Sequence, residues 1–398
     1  MTRRFEDDVV ISGVGRSEVG RRVDKDPLVL VRDAVDAALA DAGLSLTDID
    51  GLSTAPGPLP GPPMGYTVGG IEVMTELLGL RPTWFTASPE TMGHAGPIID
   101  GALAVSGGLC RHVISIRAMW EGSHRKLLAE GALPPPGGSS RVTGRAEWQS
   151  PFGAMSPANW IAMQATNHME TFGTTREQLG AIALNARANA GRNPGAIYRE
   201  PLTMDDYLSA RTVSTPFGLY DCDVPCDGAV AVIVSHVDTV PDLRRVPVRL
   251  EAVGSAMTER FSWDQGTMHH EPMVAGPAAH LWTRTDLRPA DVDVAQLYDG
   301  FTFNCLSWLE ALGFCAVGDG GPFVEGGARI ALDGELPLNT SGGQLSEGRL
   351  NGFGLIHEAV IQLRDEGGER QVPGDPEVSL VSTGGGHPGG VLLLTTWR

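Results

Sequence analysis

Asn339-Thr-Ser-Gly-Gly-Gln-Leu-Ser-Glu-Gly-Arg-Leu-Asn-Gly352 is a polar, glycine-rich run set between apolar stretches. Three further pieces stand with it. They are Gln296-Leu-Tyr-Asp-Gly-Phe-Thr302, the tail loop Ser382-Thr-Gly-Gly-Gly-His-Pro-Gly-Gly390, and a helix expected from near Thr91. Glycine clusters of this kind mark sharp turns and close approaches of backbone. The five cysteines lie outside the three loops.

Working outward, the 398 residues suffice for two domains of ordinary size, or for two halves around a shared core. Apolar residues make up 42% and charged residues 20%, which excludes a mostly disordered chain. A net charge of −18 excludes a basic nucleic-acid-binding surface, though not a local basic patch for CoA phosphates. The segment Met1-Thr-Arg-Arg-Phe-Glu-Asp-Asp has no apolar signal core, and the apolar runs Gly228–Val234 and Val391–Thr396 are too short to span a membrane. No membrane insertion is expected, and the odd number of cysteines reads as cytoplasmic free thiols. Cys222 and Cys226 stand as C-x-x-x-C with no second pair nearby, so small buried thiols are expected there and no zinc site.

Val9-Val-Ile-Ser-Gly-Val-Gly-Arg reads as a buried strand. The spacing then predicts a helix over Pro27–Ala42, with Asp26 as N-cap, Pro27 at its first position and Gly43 as its stop. Residues 55–65 are a Pro/Gly-rich loop. Helices are expected over Tyr66–Leu80, Thr91–Ser106, Ala158–Phe172 and Arg176–Asn193, and strands at Thr83–Ala87, His112–Arg117 and Asp227–Val234. Residues 119–157, with Pro134-Pro-Pro-Gly-Gly-Ser-Ser, break the pattern and read as an inserted loop over the core. The segments then recur in order. Val246–Ser255 is like the first strand, Leu287–Tyr298 like Leu46–Ser53, Gly343–Leu363 like the helix from Thr91, and Glu377–Ser382 like the strand at His112. This order implies an internal duplication of a β/α unit, with one half over 1–240 and the other over 246–398.

These pieces resemble the thiolase superfamily over nearly the whole chain. Within it the chain is similar to the lipid-transfer-protein group around the thiolase domain of sterol carrier protein x, and above all to actinobacterial steroid side-chain aldolases. The resemblance implies an α/β fold of two halves in a five-layered αβαβα core with a loop insertion. Where thiolases carry Asn- or His-Glu-Ala-Phe, this chain has Tyr298-Asp-Gly-Phe301. Where they carry Gly-His-Pro-x-Gly, it has Gly348-Arg-Leu-Asn-Gly352, so Arg349 stands for the activating histidine. Where they carry Cys-x-Gly-Gly-Gly, it has Ser382-Thr-Gly384-Gly385-Gly386. The nucleophile position falls at about Thr91 or Met92, neither of which replaces a cysteine. A thiolase needs a thiolate to hold its acyl group. The related aldolases carry a tyrosine at the Tyr298 position and a second one in the Ser-Glu-Gly-x segment, which is Arg349 here.

The resemblance implies retro-aldol cleavage of a β-hydroxyacyl-CoA, with a bulky steroid-like side chain as substrate class and no cofactor beyond the CoA of the substrate. It also implies a homodimer working with a small OB-fold partner. Such cleavage needs a base at the hydroxyl, stabilisation of a thioester enolate, and a proton donor. Tyr298 is the candidate base; a free phenol has a pKa of about 10, and a neighbouring cation lowers it. Arg349 is the cation the motifs bring near. The N–H groups of Gly384, Gly385 and Gly386 are candidate oxyanion donors and His387 a proton relay. Asp299 either orients Tyr298 or caps a turn. His94 and Asn351 complete the expected substrate-binding set.

Each residue has a plainer reading: a satisfied buried tyrosine, a structural ion-pair arginine, a loop histidine. His269-His270 reads as solvent-facing, with no metal partner at ligand spacing. The triple-glycine loop leads into a strand and not a helix, so it is no dinucleotide fingerprint. Two other functions stay open. One is a non-catalytic acyl-CoA or lipid-binding subunit. The other is acyl transfer from Ser88, Thr91 or Ser382, for which the motifs supply no adjacent base.

Overall fold

The computed structural model describes residues 4–56, 68–87, 91–132, 142, 144, 146–258, 272, 274–386 and 389–397. His387, the His269-His270 pair, Ser88 and the Pro-rich run from Pro134 lie outside the described residues.

The main sheet has β1 (Val9–Arg16), β2 (Gly51–Thr54), β3 (Trp84–Ala87), β4 (His112–Trp120), β5 (Asp227–His236), β6 (Val248–Gly254), β7 (Val294–Gln296), β8 (Val378–Thr383) and β9 (Gly390–Thr396). Their order across the sheet is β7-β8-β9-β6-β1-β5-β4-β2-β3. In the first run of strands, β4 lies parallel to β2 and antiparallel to β5. In the second, β8 lies parallel to β7 and antiparallel to β9. The two runs meet where β1 pairs antiparallel with β6 at Val10–Arg249 and Ile11–Val248.

The principal helices are α1 (Pro27–Ala42), α2 (Ile71–Leu78), α3 (Gly96–Ser106), α4 (Glu121–Ala129), α5 (Pro157–Phe172), α6 (Arg176–Gly191), α7 (Ala275–Trp282), α8 (Thr302–Ala311) and α9 (Phe353–Leu363). Helix α1 forms as its sequence dictates. The Leu28 N–H donates to Asp26 at 2.8 Å, and Gly43 closes the helix in the left-handed region. Its apolar stripe packs with α2 on one face of the first strands, against Leu52, Ile114, Ala231 and Ile233. A Cβ on Gly15 would lie 2.2 Å from the Ala38 nitrogen, so a side chain there would push α1 off β1. On the opposite face Ser115 reaches the Pro97 carbonyl of α3. Helix α9 packs against β1 and β5 as well as β7, β8 and β9, so it lies between the two runs of strands.

Three expectations change in ways that shape the site. The helix expected from Thr91 begins only at Gly96, because Thr91–His94 is extended. Gly93 takes φ of +58° there, and a Cβ on it would sit 2.8 Å from the Thr383 carbonyl. The run Gly343–Leu363 is not one helix. A π-type turn, Gly343–Glu347, is followed by Gly348, Asn351 and Gly352 at positive φ before α9 starts. Met119 and Trp120 are the last residues of β4, paired with Gly228 and Asp227, so the sheet runs into the segment read as an insertion.

Candidate active site

Tyr298 sits just past the end of β7. Its N–H donates to Ser382 Oγ at 2.9 Å, which ties it to the neighbouring β8. Asn339 holds the residue before it from both sides, accepting from the Leu297 N–H at 2.7 Å and donating to the Leu297 carbonyl at 2.9 Å. The tyrosine is 4% exposed. Its ring stacks on His94, with centroids 5.9 Å apart and planes at 14°. A Cβ on Gly300 would come within 2.7 Å of that ring, so the Asp-Gly step makes room for the phenol.

Asp299 caps the turn that begins at Gly343. It accepts the Gln344 N–H at 2.9 Å and the Leu345 N–H at 3.4 Å. Burial lifts its carboxyl to about 7, against the pull of those N–H groups.

Arg349 lies between two carboxylates. Nη1 is 3.0 Å from Asp223 Oδ1, and Nη2 contacts Glu121, which also holds Arg125. Burial alone would lower its pKa, but Asp223 and Glu121 more than offset this and raise it. The expectation that a neighbouring cation brings the phenol into a basic range fails. Burial pushes the Tyr298 pKa up and Asp223 adds to the rise, while Arg349 and the Gln344 amide only oppose it. The resting residue is a neutral phenol.

His94 ends the extended Thr91–His94 segment, and burial takes its imidazole down to about 3, which keeps it neutral. Asn351, at φ of +49°, directs its amide to Met119 Sδ at 3.4 Å. In the tail loop, Trp308 Nε1 donates to the Gly384 carbonyl at 2.7 Å, and Asn304 Nδ2 donates to the Gly385 carbonyl at 2.9 Å. These bonds fix the peptide planes of the loop whose N–H groups the sequence put forward. Thr383, just before it, accepts the Ala95 N–H at 2.9 Å. Tyr298, His94, Asp299 and Arg349 are thus drawn together, with the Gly384–Gly386 loop and Asn351 beside them.

Three residues of the cluster escaped the sequence reading. Asp223 carries no motif and stands between two cysteines that drew attention instead. Its N–H donates to the Gly300 carbonyl at 3.1 Å and the next N–H to the Gln344 carbonyl at 2.9 Å, so it links the Tyr298 loop to the Gln344 turn. Glu121 opens α4 and is 1% exposed. Arg117 lies on β4 between Ser115, which faces Pro97, and Met119, which faces Asn351; strand alternation puts all three on one face. Burial pulls Arg117 down to about 10, with Tyr298 opposing and Arg349 reinforcing the shift. Its signal in the sequence was a lone charge inside an apolar strand.

The five thiols are unbridged. Burial pushes Cys110, Cys222 and Cys315 up to about 12 and Cys226 and Cys305 higher still, which keeps them protonated. Among the described residues there is no cluster of three or more His, Cys, Asp or Glu placed to hold a metal. Nor, among those residues, is any helix long and apolar enough to cross a membrane.

Residues 262–390 match the family described as thiolase C-terminal domain-like. The chain is 34% identical to the 17-hydroxy-3-oxo-4-pregnene-20-carboxyl-CoA lyase of Mycobacterium tuberculosis, over 96% of this chain and 98% of that one. It is 33% identical to a steroid side-chain-cleaving aldolase of Thermomonospora curvata, over 96% and 97% of the two chains. Among solved structures, the Ltp2-ChsH2(DUF35) aldolase superposes with a TM-score of 0.85 at 30% identity, covering 98% of each chain. The layered α/β fold and the similarity to these lyases over nearly the whole chain lead to one assignment: the chain belongs to the thiolase superfamily, in the group of the steroid side-chain-cleaving aldolases.

Proposed function

We propose that this chain is a carbon–carbon lyase that cleaves a β-hydroxyacyl-CoA by retro-aldol chemistry, giving a ketone or aldehyde and a shorter acyl-CoA. The observation that carries this reading is the buried Tyr298 beside Arg349 and Arg117, in a protein whose thiols are all held protonated. Acyl transfer needs an activated nucleophile, whereas retro-aldol cleavage needs only proton transfers and a stabilised enolate. Tyr298 is the central proton-transfer residue of the reaction. The glycine loop and the arginines supply donors for the thioester oxygen. No cofactor beyond the CoA of the substrate enters the mechanism.

The substrate class is a thioester with a bulky steroid-like side chain, after the relatives named as steroid lyase and aldolase. We assign the protein to the cytoplasm, in keeping with its unbridged thiols. It works as a homodimer with a small OB-fold partner. The structural neighbour is named for two components, Ltp2 and ChsH2(DUF35). Here Trp148 and Phe152 are 75% and 83% exposed, a large apolar surface for a monomer to leave in water.

The test mixes the purified chain, alone and with a genomic neighbour encoding an OB-fold protein, with a tertiary β-hydroxyacyl-CoA bearing a steroid ring. Mass spectrometry should find a ketone and a shortened acyl-CoA, both lost in Tyr298→Phe. Tight binding with no product would instead favour a carrier subunit, and a covalent acyl adduct on the chain would favour acyl transfer.

A further inference from the structure

A retro-aldol step moves two protons. The β-hydroxyl O–H breaks as the carbonyl forms, the electron pair of the Cα–Cβ bond passes into the thioester enolate, and Cα then takes a proton. Two groups of one site divide this work when one begins ionised and the other protonated. Resting on the lyase reading, we propose that Asp223 accepts the β-hydroxyl proton and that Tyr298 gives its phenolic proton to Cα. Return of the proton from Asp223 to the Tyr298 phenolate, directly or through water, closes the cycle with no net gain or loss.

Geometry selects Asp223 among the carboxyls around the site. Both oxygens of Asp299 serve the N–H groups of the turn, and the residue is fully buried. Glu347 is 3% exposed and held by Ser341 at 2.6 Å, by Asn193 at 3.3 Å and by Arg16. Glu121 is 1% exposed and shared by Arg349 and Arg125. The Asp223 side chain keeps 9% exposure. Among the described residues its one side-chain hydrogen bond runs through Oδ1 to Arg349, which leaves Oδ2 for a substrate hydroxyl. Its backbone is pinned to Gly300 and its neighbour's to Gln344, so the carboxyl is fixed relative to the tyrosine two residues before Gly300.

The charged surroundings agree. Burial raises Asp223 to about 6, with Arg349 and Arg125 opposing and Glu121 reinforcing. The carboxyl is therefore ionised at neutral pH yet close enough to it to be a useful base. Tyr298, raised by burial and then by Asp223, stays protonated. Asp299 and the protonated thiols of Cys222 and Cys226 complete the set of titratable groups coupled to Asp223.

The experiment uses the active complex with the β-hydroxyacyl-CoA substrate. The wild-type rate should fall as pH drops through about 6, following Asp223. Asp223→Asn, which keeps a hydrogen-bond acceptor for Arg349, should be slower by about 100-fold at neutral pH and lose that acid limb. In Asp223→Gly, added formate should restore activity; formate should do nothing for Tyr298→Phe. Unfolding midpoints and binding of the shortened acyl-CoA separate loss of chemistry from loss of fold, and formate rescue cannot arise from a merely structural role. An Asp223→Asn enzyme within about 3-fold of wild type, or one with the same acid limb, overturns the assignment while leaving the lyase reading intact. A wild-type complex that cleaves no β-hydroxyacyl-CoA overturns both.

Discussion

Arg349 shows what a single position can and cannot reveal. The Ser-Glu-Gly-Arg motif singled it out as a candidate, because its neighbours match a known loop. Its environment was not legible. The two carboxylates that fix it come from positions 121 and 223, one opening α4 and the other in a stretch notable only for its cysteines. Such long-range pairs leave no mark on local spacing. The same holds for Arg117, whose place beside Tyr298 follows from strand register. The ion pairs make a definite forecast. Arg349→Met leaves Glu121, 1% exposed, with only the more exposed Arg125 to offset its burial. Removing one member of a buried pair costs about 3–5 kcal/mol, and the partial exposure of Arg349 puts this case at the low end. Urea unfolding at neutral pH measures it. Arg349→Lys should recover only part, since an ammonium cannot present the guanidinium fork to two carboxylates at once.

At the scale of the element, strands and amphipathic helices were well legible, because apolar periodicity and caps are local. Helix α1 matches its expected bounds and both caps. The failures lie at Thr91–His94 and Gly343–Gly352, where loops from distant parts of the chain press together and override helix propensity. Asp299 is the residue that holds the second of these in shape. Its carboxyl stands at about 7 in the fold, against about 4 for an ordinary aspartate in the unfolded chain. The folded state therefore binds this proton more tightly. The linked stability is full below about pH 4 and is lost as pH rises through about 7. Asp299→Asn removes the titration, so urea unfolding at pH 5 and pH 8 should show a larger fall for wild type than for the variant. The contact of Gly390 with Met92 makes a second forecast. A Cβ there would lie 2.1 Å from the Met92 carbonyl oxygen, and both partners are backbone-fixed. Gly390→Ala should cost about 1–3 kcal/mol, the usual range for overpacking, and should reduce cleavage by moving Thr91–His94, which circular dichroism melts and initial rates can separate.

The whole molecule shows an asymmetry that no segment of sequence carried. One edge of the sheet, β7, is covered: the Ala295 N–H donates to the Pro337 carbonyl at 3.0 Å, and the Asn339 N–H to the Ala295 carbonyl at 3.0 Å. At the other edge, β3 pairs with β2 on one side, and among the described residues no strand pairs with its other side. Phe85 on that strand is 57% exposed, and Leu109, joined to the strand's start through the Thr83 hydroxyl, is 58% exposed. A bare edge strand with apolar side chains is a template for pairing, and proteins that stay monomeric blunt such edges with charge or proline. A second copy meeting β3 across a two-fold axis would cover the same residues on both chains. For the proposed homodimer, Phe85→Glu is therefore expected to give a monomer in light scattering at micromolar concentration. Its unfolding free energy, extrapolated to the monomer, should stay within about 0.5 kcal/mol of wild type, because the side chain is mostly exposed before association. A Phe85→Glu protein that remains dimeric would move the interface away from this edge, and the exposed Trp148–Phe152 surface would be the next place to substitute.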